Sequence, residues 1–221
     1  MNEPRPTPRH PIAGKVIVIL MVLALAVTVW MKLNFYPLNP WKNPEFVAPP
    51  VIQPVTPFVL TDSNGRTVTN VDMKGKVWVV DFFFTYCAGL CPRMHDQLKK
   101  IWSETRDWEV VKQRGESPLF VSITADPKRD TPEALAEYAK LWAVDDGRWM
   151  FLTGTAGAIH DVSVKGLLLA NEKGNPDTHS GKFVLIDRQG RVRGHYDGTD
   201  EKELLRLRVD LLKVLLLKGD S

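Results

Sequence analysis

Two cysteines are the residues of this sequence best suited to chemistry. They are Cys87 and Cys91, and the chain contains no others. A pattern typical of a buried strand, Val77–Phe84, precedes them, and a helical pattern starts at Pro92. The N–H groups and the dipole at the start of a helix favour a thiolate over a thiol. The spacing therefore predicts either a redox-active disulfide or two ligands for one soft metal ion.

The histidines are the candidates for a third ligand, because two thiolates alone do not saturate a metal ion. His179 lies in a polar loop before a strand that we expect beside the central one, so this loop can overhang the cysteines. Spacing alone leaves open whether His179 is a ligand. In a continuous helix, His95 rises too far above Cys87 to share one ion with it, and we interpret it as a surface residue. The other histidines do not fit a ligand role by position: His10, His160 and His195.

The elements that must position these residues alternate along the chain. A hairpin with Asn64 and Gly65 at its turn comes first. It is followed by a βαβαβα pattern, a second hairpin and a final amphipathic helix. This order predicts a thioredoxin-like α/β sandwich with an N-terminal hairpin. The cysteines then lie at the carboxyl end of the central strand, where open α/β sheets bind their ligands.

The N-terminal part of the sequence is predicted to lie outside that domain. Val16–Met31 is apolar and uncharged, and basic residues outnumber acidic ones before it. We therefore expect a single transmembrane helix in the inner membrane, with the C-terminal domain in the periplasm. A cleaved signal peptide is the alternative. The expected divisions are a cytoplasmic N-terminus at 1–15, the membrane anchor at 16–33, a proline-rich tether at 34–57 and the thioredoxin-like domain at 58–221.

Composition narrows the functional classes. The net charge of +3 is too small to indicate nucleic-acid binding, so we expect no nucleic-acid partner. Two cysteines in an oxidising compartment most often form a structural disulfide. The loop between Cys87 and Cys91 is too short for such a bond to stabilise the fold much. A redox or metal-binding role is therefore favoured.

Three separate blocks of the sequence resemble the Sco/SenC family in order and spacing. They are FTYCAGLCP at 84–92, SITADPKRDTPEALAEYAKLW at 122–142 and THSGKFVLIDRQGRVRGHY at 178–196. The resemblance extends over about residues 55–217. Members of this family are membrane-anchored, thioredoxin-like copper proteins that help to assemble the copper centre of cytochrome c oxidase.

The resemblance implies a ligand set for copper. Cys87 and Cys91 match the two copper-binding cysteines of the family, and His179 matches its histidine ligand. Asp126 matches an acid in a loop near the site, although a role in a turn is the alternative. Two thiolates and an imidazole suit Cu(I), and the imidazole also accommodates Cu(II). Zinc accepts the same donors, but a zinc hydrolase needs a general base that no spacing in the sequence indicates.

The function implied is that of a metallochaperone. It would receive copper from an upstream donor, depend on an upstream thiol reductant and deliver the metal to the cytochrome c oxidase subunit that carries the copper centre. A thiol-disulfide oxidoreductase acting on the cysteines of that subunit is the main alternative, and a redox-sensing module is a third. The sequence departs from the family at Tyr86, where histidine is frequent, and at Asp81, where many members have an aromatic residue.

Overall fold

The chain forms two compact units, Met1–Phe46 and Val47–Ser221. The computed structural model describes the backbone of residues 11–34, 47–144, 146–169 and 181–217. In the first of these ranges, side chains are described for residues 15–30. The first unit contains helix α1, Pro11–Asn34.

The prediction of a transmembrane helix is contradicted. No helix in the described part of the chain is both long enough and apolar enough to cross a membrane. The predicted anchor at 16–33, the membrane contact through it and the single-pass inner-membrane location with a periplasmic domain are therefore not supported.

The second unit is built on one mixed sheet of eight strands. Their order in the sheet is β1-β8-β7-β4-β5-β6-β2-β3. Strand β5 pairs in parallel with β4 and β6, and every other pairing is antiparallel. The strands are β1 Gln53–Pro54, β2 Val59–Asp62, β3 Thr67–Thr69, β4 Trp78–Phe83, β5 Leu119–Thr124, β6 Trp149–Thr153, β7 Lys182–Ile186 and β8 Arg191–Asp197.

Helices cover both faces of this sheet, so the predicted α/β sandwich is confirmed. Helices α2, α3, α4 and α6 pack on one face. Helix α5 and the π-helical turn after it pack on the other face, where Leu60 of β2 and Val68 of β3 belong to the same apolar core. The helices are α2 Leu90–Thr105, α3 Glu109–Arg114, α4 Pro132–Trp142, α5 Ala156–His160 and α6 Glu201–Leu216, and the π-helical turn is Asp161–Gly166.

Strand β4 and helix α2 are the elements that position the cysteines. All six residues of β4 are buried, as its apolar pattern predicts. Alternate side chains point to opposite faces, so Val79, Asp81 and Phe83 share the face covered by α2. Helix α2 begins at Leu90, slightly before the predicted start at Pro92. The loop between the two elements carries Cys87 at the carboxyl end of the strand.

The sheet also includes part of the predicted tether. Gln53 pairs with Val192 at the sheet edge, and Val55 belongs to the apolar core on the α5 face. The compact unit therefore starts before residue 58, the predicted beginning of the domain. The order of the remaining elements follows the predicted sequence of hairpin, alternating strands and helices, hairpin and helix.

Candidate metal centre

The two cysteines lie where β4 passes into α2. Cys91 is in the first turn of α2 and is buried, whereas Cys87 lies in the preceding loop and is partly exposed. Both side chains are thiols. The N-cap residue Gly89 has no side chain to cap the helix, and the N–H of Cys91 instead donates to Sγ of Cys87 at 3.3 Å. Sγ of Cys87 therefore accepts a hydrogen bond from one of the free N–H groups at the start of the helix, as the side chain of a capping residue otherwise would.

The surroundings of the two thiols shift their pKa values in opposite directions. Burial alone would raise the pKa of Cys87, but hydrogen bonds from the Cys91 thiol and from the N–H groups of Cys91, Gly89 and Leu90 lower it overall. Burial raises the pKa of Cys91 strongly, and its hydrogen bond to Cys87 and the negative charge of Asp81 add to the effect. Cys87 is therefore the more acidic sulfur, and Cys91 is its hydrogen-bond donor.

His179, the predicted third ligand, lies outside the described residues. Within the described ranges, no group of three or more His, Cys, Asp or Glu side chains could hold a metal ion. Gly181 is the first described residue after this loop, and it lies close to Leu90. A Cβ added to Gly181 would lie 3.4 Å from Cδ2 of Leu90. Gly181 also accepts a hydrogen bond from the N–H of Gly198 at 2.8 Å. The chain therefore enters β7 beside Leu90, the neighbour of Cys91.

The pairing of β7 with β4 brings the same residues together. The strands are antiparallel, and Val184 lies opposite Val80. The first residue of β7, Lys182, therefore lies toward the carboxyl end of β4, the end from which the loop to Cys87 leaves. This confirms that the strand after the His179 loop neighbours the central strand. It also places the start of that strand at the edge of the sheet where the cysteines lie.

Asp126 lies two residues after the end of β5, in the loop that leads to α4. Its N–H donates to Oγ1 of Thr124 at 2.9 Å, its carbonyl accepts from the N–H of Arg129, and its carboxylate lies 3.6 Å from that guanidinium. Asp126 is thus a turn residue.

A pocket borders the cysteine loop. Its lining includes Phe84, whose carbonyl accepts a hydrogen bond from the N–H of Cys87. This pocket has a volume of about 430 Å³ and is lined by Phe84, Ala125, Asp126, Lys128 and Arg129.

Asp130 joins the two loops, a role that its local sequence does not indicate. The pattern predicts Asp130 or Thr131 as the cap of α4, and Thr131 is the residue that caps it. Asp130 is completely buried and accepts hydrogen bonds from the N–H and hydroxyl of Thr85 and from the hydroxyl of Thr124. Because Thr85 comes just before Cys87, Asp130 fixes the start of the cysteine loop against the end of β5.

His95 is buried, so the prediction that it lies on the surface of α2 is wrong. Its Nε2 lies 3.0 Å from Oδ2 of Asp81, and its Nδ1 lies 3.0 Å from the hydroxyl of Tyr138. Both ring nitrogens therefore have hydrogen-bond partners. The helical period contains the information that was missed: His95 is four residues after Cys91 and three before Leu98, both on the buried face.

The arrangement of the described residues supports two kinds of chemistry. Two sulfur donors of unequal acidity, one of them reachable from solvent, suit a soft metal ion such as Cu(I). The same pair can also exchange two electrons by passing between a dithiol and a disulfide. Cys87 is the more acidic and the more exposed of the two residues, which are the properties of the more reactive sulfur in such a pair.

Comparisons with known proteins give consistent results. Residues 50–211 match the family model described as SCO1/SenC. A SCO2-like protein of Rickettsia prowazekii (strain Madrid E) is 35% identical over 159 residues, which cover 68% of this chain and 73% of the relative. BsSco, a member of the Sco family of cytochrome c oxidase assembly proteins in which a disulfide switch was identified, is 25% identical. Its structure superposes with a TM-score of 0.64, over 78% of this chain and 99% of that chain.

A copper-bound structure is also among the similar ones. Yeast Sco1 with copper bound is 26% identical to this chain and superposes with a TM-score of 0.53. The superposition covers 72% of this chain and 90% of the yeast chain. These likenesses extend over most of the second compact unit, the part of the chain that contains both cysteines.

Proposed function

The chain belongs to the SCO1/SenC family, and we propose that it is a copper chaperone that binds the metal through Cys87, Cys91 and His179. BsSco belongs to a family of cytochrome c oxidase assembly proteins, and yeast Sco1 has been solved with copper bound. By this likeness, the recipient of the copper is the cytochrome c oxidase subunit that carries the copper centre. The observation that carries the proposal is the proximity of Gly181 to the side chain of Leu90, whose Cδ2 would lie 3.4 Å from a Cβ on Gly181.

The short covalent distance between Gly181 and His179 makes the proximity of Gly181 to Leu90 an argument for His179 as a ligand. Two residues of extended chain span at most about 7 Å, so His179 is tied to within that distance of Gly181. Gly181 lies beside Leu90, and Leu90 is bonded to Cys91. A histidine attached so close to the first turn of α2 is within reach of a metal ion held by the two sulfurs.

The donor set fits copper as cargo. Two thiolates and one imidazole form a soft set that suits Cu(I) and also accepts Cu(II). Because a disulfide cannot supply two thiolate ligands, an upstream reductant must keep both sulfurs reduced. Binding also requires that Cys91 lose its proton, so metal uptake releases protons. Asp126 is proposed to act beside the metal and not as a ligand, because its carboxylate pairs with Arg129 and its backbone closes the turn.

The test is an anaerobic titration of the reduced full chain with Cu(II), followed by absorption spectroscopy. We expect an intense thiolate-to-copper charge-transfer band that saturates at one equivalent of metal. Cys87→Ser and Cys91→Ser should abolish this band. His179→Ala should weaken copper binding by at least about tenfold, the scale expected when part of a metal site is lost.

A matched control separates a ligand from any other histidine. His160→Ala removes an exposed histidine at the end of α5, and the band and affinity should stay those of the original chain. The proposal is overturned if His179→Ala binds copper with unchanged affinity and an unchanged spectrum.

A thiol-disulfide oxidoreductase is the second candidate, and the unequal acidity of the two thiols favours it. The Cys87 thiolate would attack a disulfide of the partner, form a mixed disulfide and release one partner sulfur as a thiolate. Cys91, after losing its proton, would then attack Cys87 and release the second partner sulfur. The pair ends as a disulfide, and an upstream thiol must reduce it again. In this case His179→Ala would leave the rate of disulfide exchange unchanged.

A further inference from the structure

A buried polar cluster lies one helical turn beyond Cys91. At its centre, Nε2 of His95 lies 3.0 Å from Oδ2 of Asp81, and both residues have an exposed fraction of 0%. A neutral imidazole that donates from Nε2 to the carboxylate and accepts at Nδ1 from the hydroxyl of Tyr138 satisfies both contacts. The pair is therefore enclosed in the core and fully hydrogen-bonded.

Neighbouring elements hold each member of the pair in place. The hydroxyl of Ser122 on β5 donates to Oδ1 of Asp81 at 2.6 Å. The indole N–H of Trp149 on β6 donates to the same Ser122 hydroxyl at 2.9 Å. Tyr138 on α4 bonds to His95 at 3.0 Å. The cluster thus joins three adjacent strands to two helices by directional bonds, which fix orientation more narrowly than apolar contacts do.

Stability alone does not account for a polar pair at this place. Removing a carboxylate and an imidazole from water is costly, and apolar residues of similar volume often stabilise a core equally well or better. The surrounding residues offer such a core, since Phe83, Trp142 and Phe151 all lie against the His95 ring. A role in positioning gives a reason for placing polar groups there.

The geometry indicates which residue is positioned. Cys91 and His95 are four residues apart on α2, so they lie on the same face of the helix, one turn apart. Asp81 is in β4, the strand that leads into the loop with Cys87. The bond from Asp81 to His95 therefore connects the helix that carries one cysteine to the strand that leads to the other. The Asp81 carboxylate is also close enough to Cys91 for an electrostatic interaction.

We propose that Asp81 and His95 are positioning residues that hold the first two turns of α2 in the place that brings Cys91 to Cys87. Without this bond, α2 can shift along β4, and the effective concentration of one sulfur at the other falls. Disulfide formation depends on that concentration directly. The expected effect on copper binding rests on the proposed function, whereas the expected effect on disulfide formation does not depend on that function.

The test compares three variants of the full chain with the original protein. Asp81→Val/His95→Leu removes both polar groups together and leaves no unpaired charge in the core. Asp81→Asn keeps the shape of the side chain and weakens the bond to the imidazole. His95→Gln retains a donor for Asp81 and serves as the conservative replacement. Circular dichroism identifies the variants that are folded.

The main measurement is the equilibrium between the cysteine pair and glutathione, followed by alkylation of the thiols. In the double variant, the equilibrium constant for disulfide formation should fall about tenfold, the scale seen when groups that orient ligands are removed. Asp81→Asn should lower the equilibrium constant as well, and His95→Gln should keep it close to the original value. A competition assay with a Cu(I) chelator should show a similar loss of copper affinity in the double variant.

A matched control tests whether any buried aspartate has this effect. Asp187 has an exposed fraction of 2% and bonds to Arg191 and Arg193, but it follows the other end of β7, away from the cysteines. Asp187→Asn should leave the equilibrium constant within about twofold of the original, because distant sites act independently.

The experiment distinguishes a failure of the positioning role from a failure of the proposed copper-chaperone function. If folded Asp81→Val/His95→Leu and Asp81→Asn both keep the original equilibrium constant with glutathione, the positioning role is overturned, whatever copper does. If the original chain binds no copper but the double variant shifts the constant, the positioning role holds and the proposed chaperone function fails.

Discussion

At the scale of single residues, the two sulfurs differ although the side chains are identical. Cys87 accepts hydrogen bonds at the start of α2, and this lowers its pKa. Cys91 is buried and donates to Cys87, and its pKa is raised. The difference arises from position: one residue lies in the loop before the helix, and the other lies inside its first turn. A nucleophile and its hydrogen-bond donor are thus built from the same residue type.

This difference predicts unequal reactivity. When the reduced chain is treated with iodoacetamide near neutral pH, Cys87 should be modified at least about tenfold faster than Cys91, because the exposed thiolate is the nucleophile. The rate at Cys87 should rise with pH and level off at a lower pH than for an ordinary cysteine, as its lowered pKa requires. Peptide mass spectrometry measures both rates. Equal rates at the two sulfurs would contradict the account.

At the scale of the elements, Asp130 keeps the cysteine loop attached to the sheet. Its buried carboxylate accepts three hydrogen bonds, two from Thr85 in the loop after β4 and one from Thr124 at the end of β5. The two loops at this edge of the sheet are therefore fixed to each other by one side chain. The cysteine loop starts from a rigid point, although the loop itself is partly exposed.

Removing that carboxylate should destabilise the fold. Asp130→Ala leaves the buried hydroxyl of Thr124 and the partly buried N–H and hydroxyl of Thr85 without their acceptor, and we expect the free energy of unfolding to fall by about 2–4 kcal/mol. Asp126→Ala is the control from the same loop. Its ion pair with Arg129 is largely exposed, so the loss should be below about 1 kcal/mol. Urea unfolding of both variants measures the difference, and equal effects would show that Asp130 does not anchor the loop.

The same elements show what the sequence could and could not predict. The strand pattern at Val77–Phe84 and the helical pattern that starts at Pro92 depend on local periodicity, and the strand and the helix that they predict are confirmed. The roles of Asp81 and His95 depend on a contact between two elements, which local periodicity does not contain. The role of Asp130 in joining the two loops was not predicted, because the residues around it match the pattern of a helix cap. The transmembrane helix was predicted from apolar composition, and this prediction is contradicted.

At the scale of the whole molecule, the fold gathers distant parts of the chain at one edge. Strands β7, β4 and β5 are consecutive in the sheet. The three blocks that resemble the Sco/SenC family at 84–92, 122–142 and 178–196 each adjoin or include one of these strands. The cysteines follow β4, the Asp126 turn follows β5, and the His179 loop precedes β7. The proposed metal site therefore depends on the sheet order, and a chain that lost this order would keep the motifs but not the site.

The ligand set is the central claim, and X-ray absorption spectroscopy of the copper-loaded full chain tests it most directly. With one equivalent of Cu(I), we expect two sulfur ligands and one imidazole nitrogen at the metal. In His179→Ala, the imidazole signal should disappear while both sulfur ligands remain. An imidazole that persists in His179→Ala, or a metal without two sulfur ligands in the original chain, would contradict the account.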